Sequence, residues 1–128
     1  MVRTILALVM AAHGIGHILF LVALLGIADW EQSTRSWLLT GQTGARWLGS
    51  IVWIAALVGF CAAVYGLWDQ QAWWRDAAVV AAIVSTSGLI LFWVNPPSSS
   101  VVFALAFNLA LLVSLLLLRW PSADTVGA

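Results

Sequence analysis

Four long stretches of the chain are nearly uninterrupted runs of hydrophobic residues, and short polar segments separate them. The runs cover about residues 3–27, 46–68, 73–93 and 101–120. A helix needs about 20 apolar residues to cross the hydrocarbon core of a bilayer, and each run has that length. The pattern therefore predicts an all-α integral membrane protein in which residues 1–128 form one bundle of four transmembrane helices with short loops.

The polar segments carry the residue types that end helices. Residues 95–100 read Asn-Pro-Pro-Ser-Ser-Ser, residues 69–71 read Asp-Gln-Gln, and Pro121 follows the fourth run. Proline cannot continue a helix, and Asn and Ser favour turns. Residues 29–45 form the one longer polar segment, and we expect its Trp37-Leu38-Leu39 stretch to lie along the membrane interface rather than in water.

The tryptophans support these boundaries, because all but Trp53 fall near predicted helix ends. One set comprises Trp30, Trp37, Trp47 and Trp93, and the other comprises Trp68, Trp73, Trp74 and Trp120. Trp prefers the headgroup region, where its ring is buried and its N–H stays hydrated, so the two sets predict two aromatic belts. With both termini in the cytoplasm, Arg3, Arg75 and Arg119 lie inside, which the positive-inside rule favours.

Composition agrees with a membrane protein: 63% of the residues are hydrophobic, 8% are charged and the mean hydropathy is +1.04. Soluble domains carry about 25% charged residues, so most of this surface must face lipid. The net charge is zero and there is no basic cluster, which excludes nucleic acid as a partner. The expected partners are the bilayer and either further copies of the chain or other membrane subunits.

Polar residues inside the predicted spans cluster at one depth, near the middle of three of them. They are His13 and His17 in the first span, Ser85, Thr86 and Ser87 in the third, and Asn108 in the fourth. Polar groups within a bilayer usually face the bundle interior and often mark function, so these residues predict an internal polar site near the midplane. The alternative is that they join helices by hydrogen bonds, or bond their own backbone, without binding anything.

The two histidines share one face of the first helix, because residues four apart lie one turn apart. Gly14 and Gly16 flank that face, and glycine lets a second helix or a flat ligand approach the backbone closely. His-x-x-x-His on a helix is also a spacing that binds a divalent metal. A zinc peptidase is not expected, since Gly14 stands where its general base would be and no carboxylate lies deep in a span.

Three functions remain open for the histidine face. His13 or His17 could ligate a metal or serve as the axial ligand of a haem, with a homodimer able to supply one histidine per chain. Alternatively, a neutral histidine could bind a quinone carbonyl and pass a proton, with Asn108 at the other end of the ligand and Trp53, Phe92 and Phe107 as walls. The third function is a structural or accessory subunit of a larger membrane complex, with no ligand of its own. The sequence contains no complete catalytic constellation.

Two short motifs, His13-Gly14-x-x-His17 and Gly44-Ala45-Arg46-x-x-Gly49, together with four spans, resemble a group of small bacterial four-helix membrane proteins that are distantly similar to the DoxX-like family. The resemblance covers the whole length as architecture. It implies a bacterial cytoplasmic membrane and a link to quinone-dependent sulfur oxidation or oxidative-stress complexes, which favours the quinone hypothesis. Cys61 is the single cysteine, so thiol–disulfide chemistry by this chain alone is not expected.

Overall fold

The computed structural model describes residues 1–29 and 34–127, and within them the regular structure is entirely helical. The helices are α1 (Val2–Leu24), α2 (Gln42–Trp68), α3 (Trp74–Leu91), α4 (Ser99–Leu112) and α5 (Ala123–Val126). Helix α4 continues as a π-helical turn over Val113–Leu117. The predicted all-α fold with four long helices is confirmed.

Helices α1, α2, α3 and α4 with its π-helical turn are long and apolar enough to cross a membrane. Their most apolar windows are 28–39% buried inside the bundle, so most of each helix surface faces outward. Large apolar side chains such as Leu8, Ile51 and Phe103 are exposed on that surface. Lipid is the solvent that such a surface requires, and the chain is an integral membrane protein.

Several helix ends differ from the predicted positions. Helix α4 begins at Ser99 rather than near residue 101, because the side chain of Ser98 accepts a hydrogen bond from the backbone N–H of Val101 at 3.4 Å. Serine is a preferred N-cap, since it satisfies one of the free N–H groups of the first turn. Helix α1 ends at Leu24, and Gly26 follows with a φ of 71°, a left-handed conformation typical of glycine after a helix.

The loop before α2 is attached to the end of α3 through a tryptophan. The indole N–H of Trp37 donates to the carbonyl of Ile90 at 2.7 Å, in the last turn of α3. The same carbonyl also accepts from the backbone N–H of Trp93 at 3.3 Å, so the bond from Trp37 satisfies the indole N–H and joins the loop to the end of α3. Trp30 and Glu31 lie outside the described residues.

One member of the predicted aromatic belts faces inward. Trp47 and Trp68 are 70% and 60% exposed, as expected for belt residues, but Trp74 is 2% exposed and belongs to the core. Trp74 belongs to the same buried apolar cluster as Leu67 and Ala78, so its place at the start of α3 serves helix packing.

The segment after Pro121 folds back onto the bundle instead of leaving it as a polar tail. Its short helix α5 packs on α1 and buries Val126 in the apolar core, and Arg75 of α3 donates to the carbonyl of Pro121. Both termini therefore lie at the same end of the bundle, as four spans require. The compartment which that end faces stays a prediction.

The core is divided into two apolar clusters by a layer of buried polar side chains. The cluster nearer the termini includes Met10, Phe60 and Leu111, and the other includes Phe20, Trp53 and Phe92. Between them along α1, α3 and α4 lie His17, Ser85 and Asn108, each at most 1% exposed.

The long helices pack in chain order, and this leaves one side of the bundle open. Helix α1 packs closely on α2, α2 on α3 and α3 on α4, whereas α1 and α4 are not among the closely packed pairs. Small residues make the tighter contacts possible; a Cβ on Gly59 of α2 would come within 2.9 Å of the Cβ of Ala81 on α3. A crevice remains between α1 and α4, beside the polar layer.

Candidate functional site

Four polar side chains from three helices form one continuous chain of hydrogen bonds. His13 Nε2 lies 2.9 Å from Asn108 Oδ1, Asn108 Nδ2 lies 2.8 Å from Ser85 Oγ, and Ser85 Oγ lies 2.7 Å from His17 Nε2. His13 is at the middle of α1, and Asn108 is at the middle of the Ser99–Leu117 span. The chain therefore crosses the bundle near the middle of the spans, and each bond satisfies a group that would otherwise be costly to bury in an apolar surrounding.

His17 is fully engaged inside the bundle. Its Nδ1 lies 3.0 Å from the carbonyl oxygen of His13 and 3.2 Å from that of Gly14, while its Nε2 contacts Ser85. Its ring also stacks on Phe60, with 5.7 Å between centroids. Since both nitrogens are occupied, His17 has none to offer to a ligand without breaking the layer.

His13 differs from His17 because one of its nitrogens is unpaired. Its Nε2 is bonded to Asn108, but its Nδ1 has no hydrogen-bond partner among the described residues. Among the described residues, Oγ1 of Thr86 is the one fully buried side-chain nitrogen or oxygen that lacks a hydrogen-bond partner. Nδ1 of His13 also lacks a partner, so it cannot be fully buried. His13 also borders the crevice, which makes Nδ1 the polar atom available there at mid-depth.

The crevice has a volume of about 360 Å³ and is formed by α1 and α4 alone. It is lined by Val9, Ala12, His13, Gly16, His17, Leu19, Phe20, Ser100, Phe103, Ala104 and Phe107. From Val9 to Phe20 it follows α1 for about 16 Å, at about 1.5 Å per residue. Val9 and Phe103 at its rim are 44% and 76% exposed, so the crevice opens sideways, toward lipid.

The two glycines beside the histidines have different surroundings. A Cβ on Gly14 would lie 2.8 Å from the Cβ of Phe60, so this glycine allows α1 and α2 to touch. A Cβ on Gly16 would have nothing within 4 Å, and Gly16 lines the crevice. Gly14 therefore serves helix packing, and Gly16 keeps the crevice open.

These surroundings predict opposite effects on stability for the same substitution, glycine to alanine, at Gly14 and at Gly16. We expect Gly14→Ala to lower the free energy of unfolding by about 1–3 kcal/mol, because the Cβ of Phe60 cannot move without moving its helix. We expect Gly16→Ala to leave that free energy unchanged or to raise it by up to about 1 kcal/mol, since alanine is the better helix former. Unfolding in mixed detergent micelles measures both, and equal losses would contradict the assignment.

The other predicted site residues separate into members of the layer and bystanders. Ser85 and Asn108 join the histidines, whereas Ser87 is exposed and donates to the carbonyl of Ile83 in its own helix at 2.9 Å. Thr86 is partly buried and does not line the crevice.

Asn108 lies behind His13 rather than across the crevice from it, because both of its amide atoms are engaged within the layer. Of the proposed walls, Phe107 lines the crevice, with its ring 4.2 Å from that of His13 between centroids. Trp53 and Phe92 belong to the apolar core instead.

Most of the α4 wall of the crevice was not predicted: Phe107 was named as a wall, but Ser100, Phe103 and Ala104 were not. Ser100, Phe103, Ala104 and Phe107 are spaced by three, one and three residues, which places them on one helix face. That spacing is a readable signal. The spacing does not show, however, whether this face of α4 lies opposite α1 or faces lipid.

The described residues contain no group of three or more His, Cys, Asp or Glu side chains that could hold a metal ion. Cys61 does not approach the histidines; it borders a separate groove with Ala11 and Ile15 on the outer surface. A proton also cannot be passed along the layer from one histidine to the other, because the amide of Asn108 lies between them and does not readily lose a proton. The arrangement instead holds His13 in one orientation at the edge of an apolar crevice.

Similarity to known proteins adds no functional assignment to this geometry. No protein-family model matches the chain, nor does any curated protein or solved structure, so the resemblance to the DoxX-like family stays a prediction.

Proposed function

We propose that this protein binds an apolar ring compound of the quinone class, which enters from the lipid into the crevice between α1 and α4. The single observation that carries this proposal is the unpaired Nδ1 of His13 at mid-depth in an otherwise apolar, laterally open crevice. Binding sites for small molecules are typically apolar clefts of about 300–1,000 Å³ with a few placed polar groups. A cavity of about 360 Å³ accommodates a ring headgroup, and its open side lets an alkyl tail remain in lipid.

Metal and haem have less support from the same contacts. Either would have the one nitrogen of His13 to bind, because His17 and the Nε2 of His13 are engaged. An apolar ring compound uses that nitrogen and also the aromatic and aliphatic walls, including Phe103 and Phe107.

A photoreactive analogue of para-nonylphenol tests the proposal on the full chain in lipid nanodiscs. We expect saturable labelling of crevice residues on α1 and α4, displaced by unlabelled para-nonylphenol. We expect His13→Leu to reduce this labelling at least tenfold, because it removes the one free nitrogen. Leu8→Ala, on the outer surface of the same helix, is the matched control and should have no effect. Labelling spread over the outer surface without saturation would overturn the proposal.

Protein isolated gently from its native membrane gives a second test. We expect organic extraction to release a hydroxylated or carbonyl-bearing ring compound. A Soret band or a stoichiometric metal would assign His13 to haem or metal instead. Stoichiometric partner chains without an extractable ligand or saturable labelling would favour the accessory-subunit function.

A further inference from the structure

The hydrogen bonds of the polar layer fix where each proton lies, beginning at His17. Its Nδ1 faces the carbonyl oxygens of His13 and Gly14, which only accept, so Nδ1 carries the hydrogen. The imidazole is neutral, since a charge at mid-depth without an acidic partner is costly. In a neutral imidazole the other nitrogen is an acceptor, and Nε2 of His17 therefore accepts from Ser85.

Ser85 transmits this constraint to Asn108. A hydroxyl has one hydrogen, and Ser85 donates it to His17, so toward Asn108 its oxygen can only accept. The group of Asn108 that faces Ser85 at 2.8 Å must then be the NH₂, which turns Oδ1 toward His13. The orientation of the amide is thus set by the serine behind it.

Asn108 sets the tautomer of His13 in turn. Oδ1 accepts, so Nε2 of His13, 2.9 Å away, carries the hydrogen. Nδ1 of the neutral ring is then a lone pair, and it is the atom left for the crevice. For Nδ1 to present a hydrogen to the crevice, the amide of Asn108 would have to turn over and Ser85 would have to give up its hydrogen bond to His17.

We infer that the crevice selects ligands that donate a hydrogen bond, namely aromatic alcohols such as a phenol or the quinol form of a quinone, over ligands that offer a carbonyl. This inference rests on the proposed function and states which chemical form the site prefers. A hydroxyl pairs with Nδ1 of His13, whereas a carbonyl placed there sets two acceptors against each other and leaves both unpaired. Sites built to pair with a hydroxyl reject analogues that lack it far more strongly than apolar pockets discriminate size.

Three probes with the same nonyl tail test the selectivity: para-nonylphenol, its methyl ether, and para-nonylacetophenone, which carries a ketone. Each is titrated against the photoreactive phenol on the full chain in nanodiscs. We expect the phenol to compete at least tenfold better than the ether or the ketone. Equal competition by all three would overturn the inference, and this result needs no variant.

Ser85→Ala tests whether the layer causes the preference. Ser85 is fully buried and does not line the crevice, so it acts as a positioning residue through Asn108. Without its hydroxyl the amide can turn, His13 can adopt either tautomer, and the preference for phenol over ketone should fall to about threefold or less. Ser87→Ala, in the same helix but bonded only to its own backbone, is the matched control and should keep the full preference. An unchanged preference in folded Ser85→Ala would overturn the inference.

Failure of the inference and failure of the proposed function give different results. If all three probes compete equally and Gly16→Leu, which places a side chain in the crevice, blocks them all, the crevice binds apolar compounds but does not select ligands that donate a hydrogen bond. If no probe competes, or blocking the crevice has no effect, the proposed function itself is wrong.

Discussion

His17→Ala is expected to lower the free energy of unfolding by about 2–5 kcal/mol, the largest stability effect of any substitution considered for this chain. His17 is 1% exposed and lies where the two apolar clusters meet. Its removal leaves a cavity beside Phe60 and Trp53, whose rings lie 5.7 and 5.9 Å from it between centroids. It also leaves Ser85 without its acceptor, and an interhelical bond of this kind is worth about 0.6–2 kcal/mol.

Unfolding in mixed detergent micelles measures this loss, and Leu8→Ala provides the matched control. Leu8 lies on the same helix and is 65% exposed toward lipid, so its truncation should change stability little. A similar loss for both variants would show that His17 is not a structural member of the layer. The sequence alone suggests one shared role for the two histidines. In the structure both nitrogens of His17 are engaged within the layer, whereas one nitrogen of His13 is unpaired.

Gly16→Leu is expected to reduce binding of para-nonylphenol at least tenfold while the fold remains stable. Gly16 lines the crevice and a Cβ there meets nothing within 4 Å, so a leucine can enter the open space without displacing a helix. In a crevice of about 360 Å³, an isobutyl group beside His13 takes the room needed by the ring of a ligand.

Gly16→Ala controls for the loss of glycine flexibility, and we expect it to retain most of the binding. Competition against the photoreactive phenol measures affinity, and unfolding of the same samples shows whether the bundle is intact. Full binding by a stable Gly16→Leu variant would place the ligand elsewhere. The groove beside Cys61 on the outer face would then be the next surface to examine.

The proposed selectivity of the crevice would give the polar layer a function beyond joining helices. A layer that only joined helices would need no unpaired group, because any arrangement in which every polar group has a partner would serve that role. Here every member is paired except for one nitrogen of His13, and His13 lines the crevice. The layer therefore both stabilises the bundle and holds one acceptor in a defined state.

Much of the architecture is determined by the sequence itself. Four apolar runs of spanning length require four helices, because a backbone in lipid must satisfy its own hydrogen bonds. The common depth of His13, His17, Ser85 and Asn108 follows from their positions within those runs, and a shared depth makes contact between them possible.

The depth of a residue in its span does not determine how each helix is rotated or which neighbour it meets. The tertiary structure decided both. Ser85 and Ser87 are two residues apart in the same helix, yet one is buried in the layer and the other bonds its own backbone at the surface. Gly14 and Gly16 have the same spacing, but one contacts Phe60 and the other faces open space. A span that is apolar on all sides carries too little contrast to set its own rotation. Packing between helices sets it, and so determines that a crevice opens beside His13.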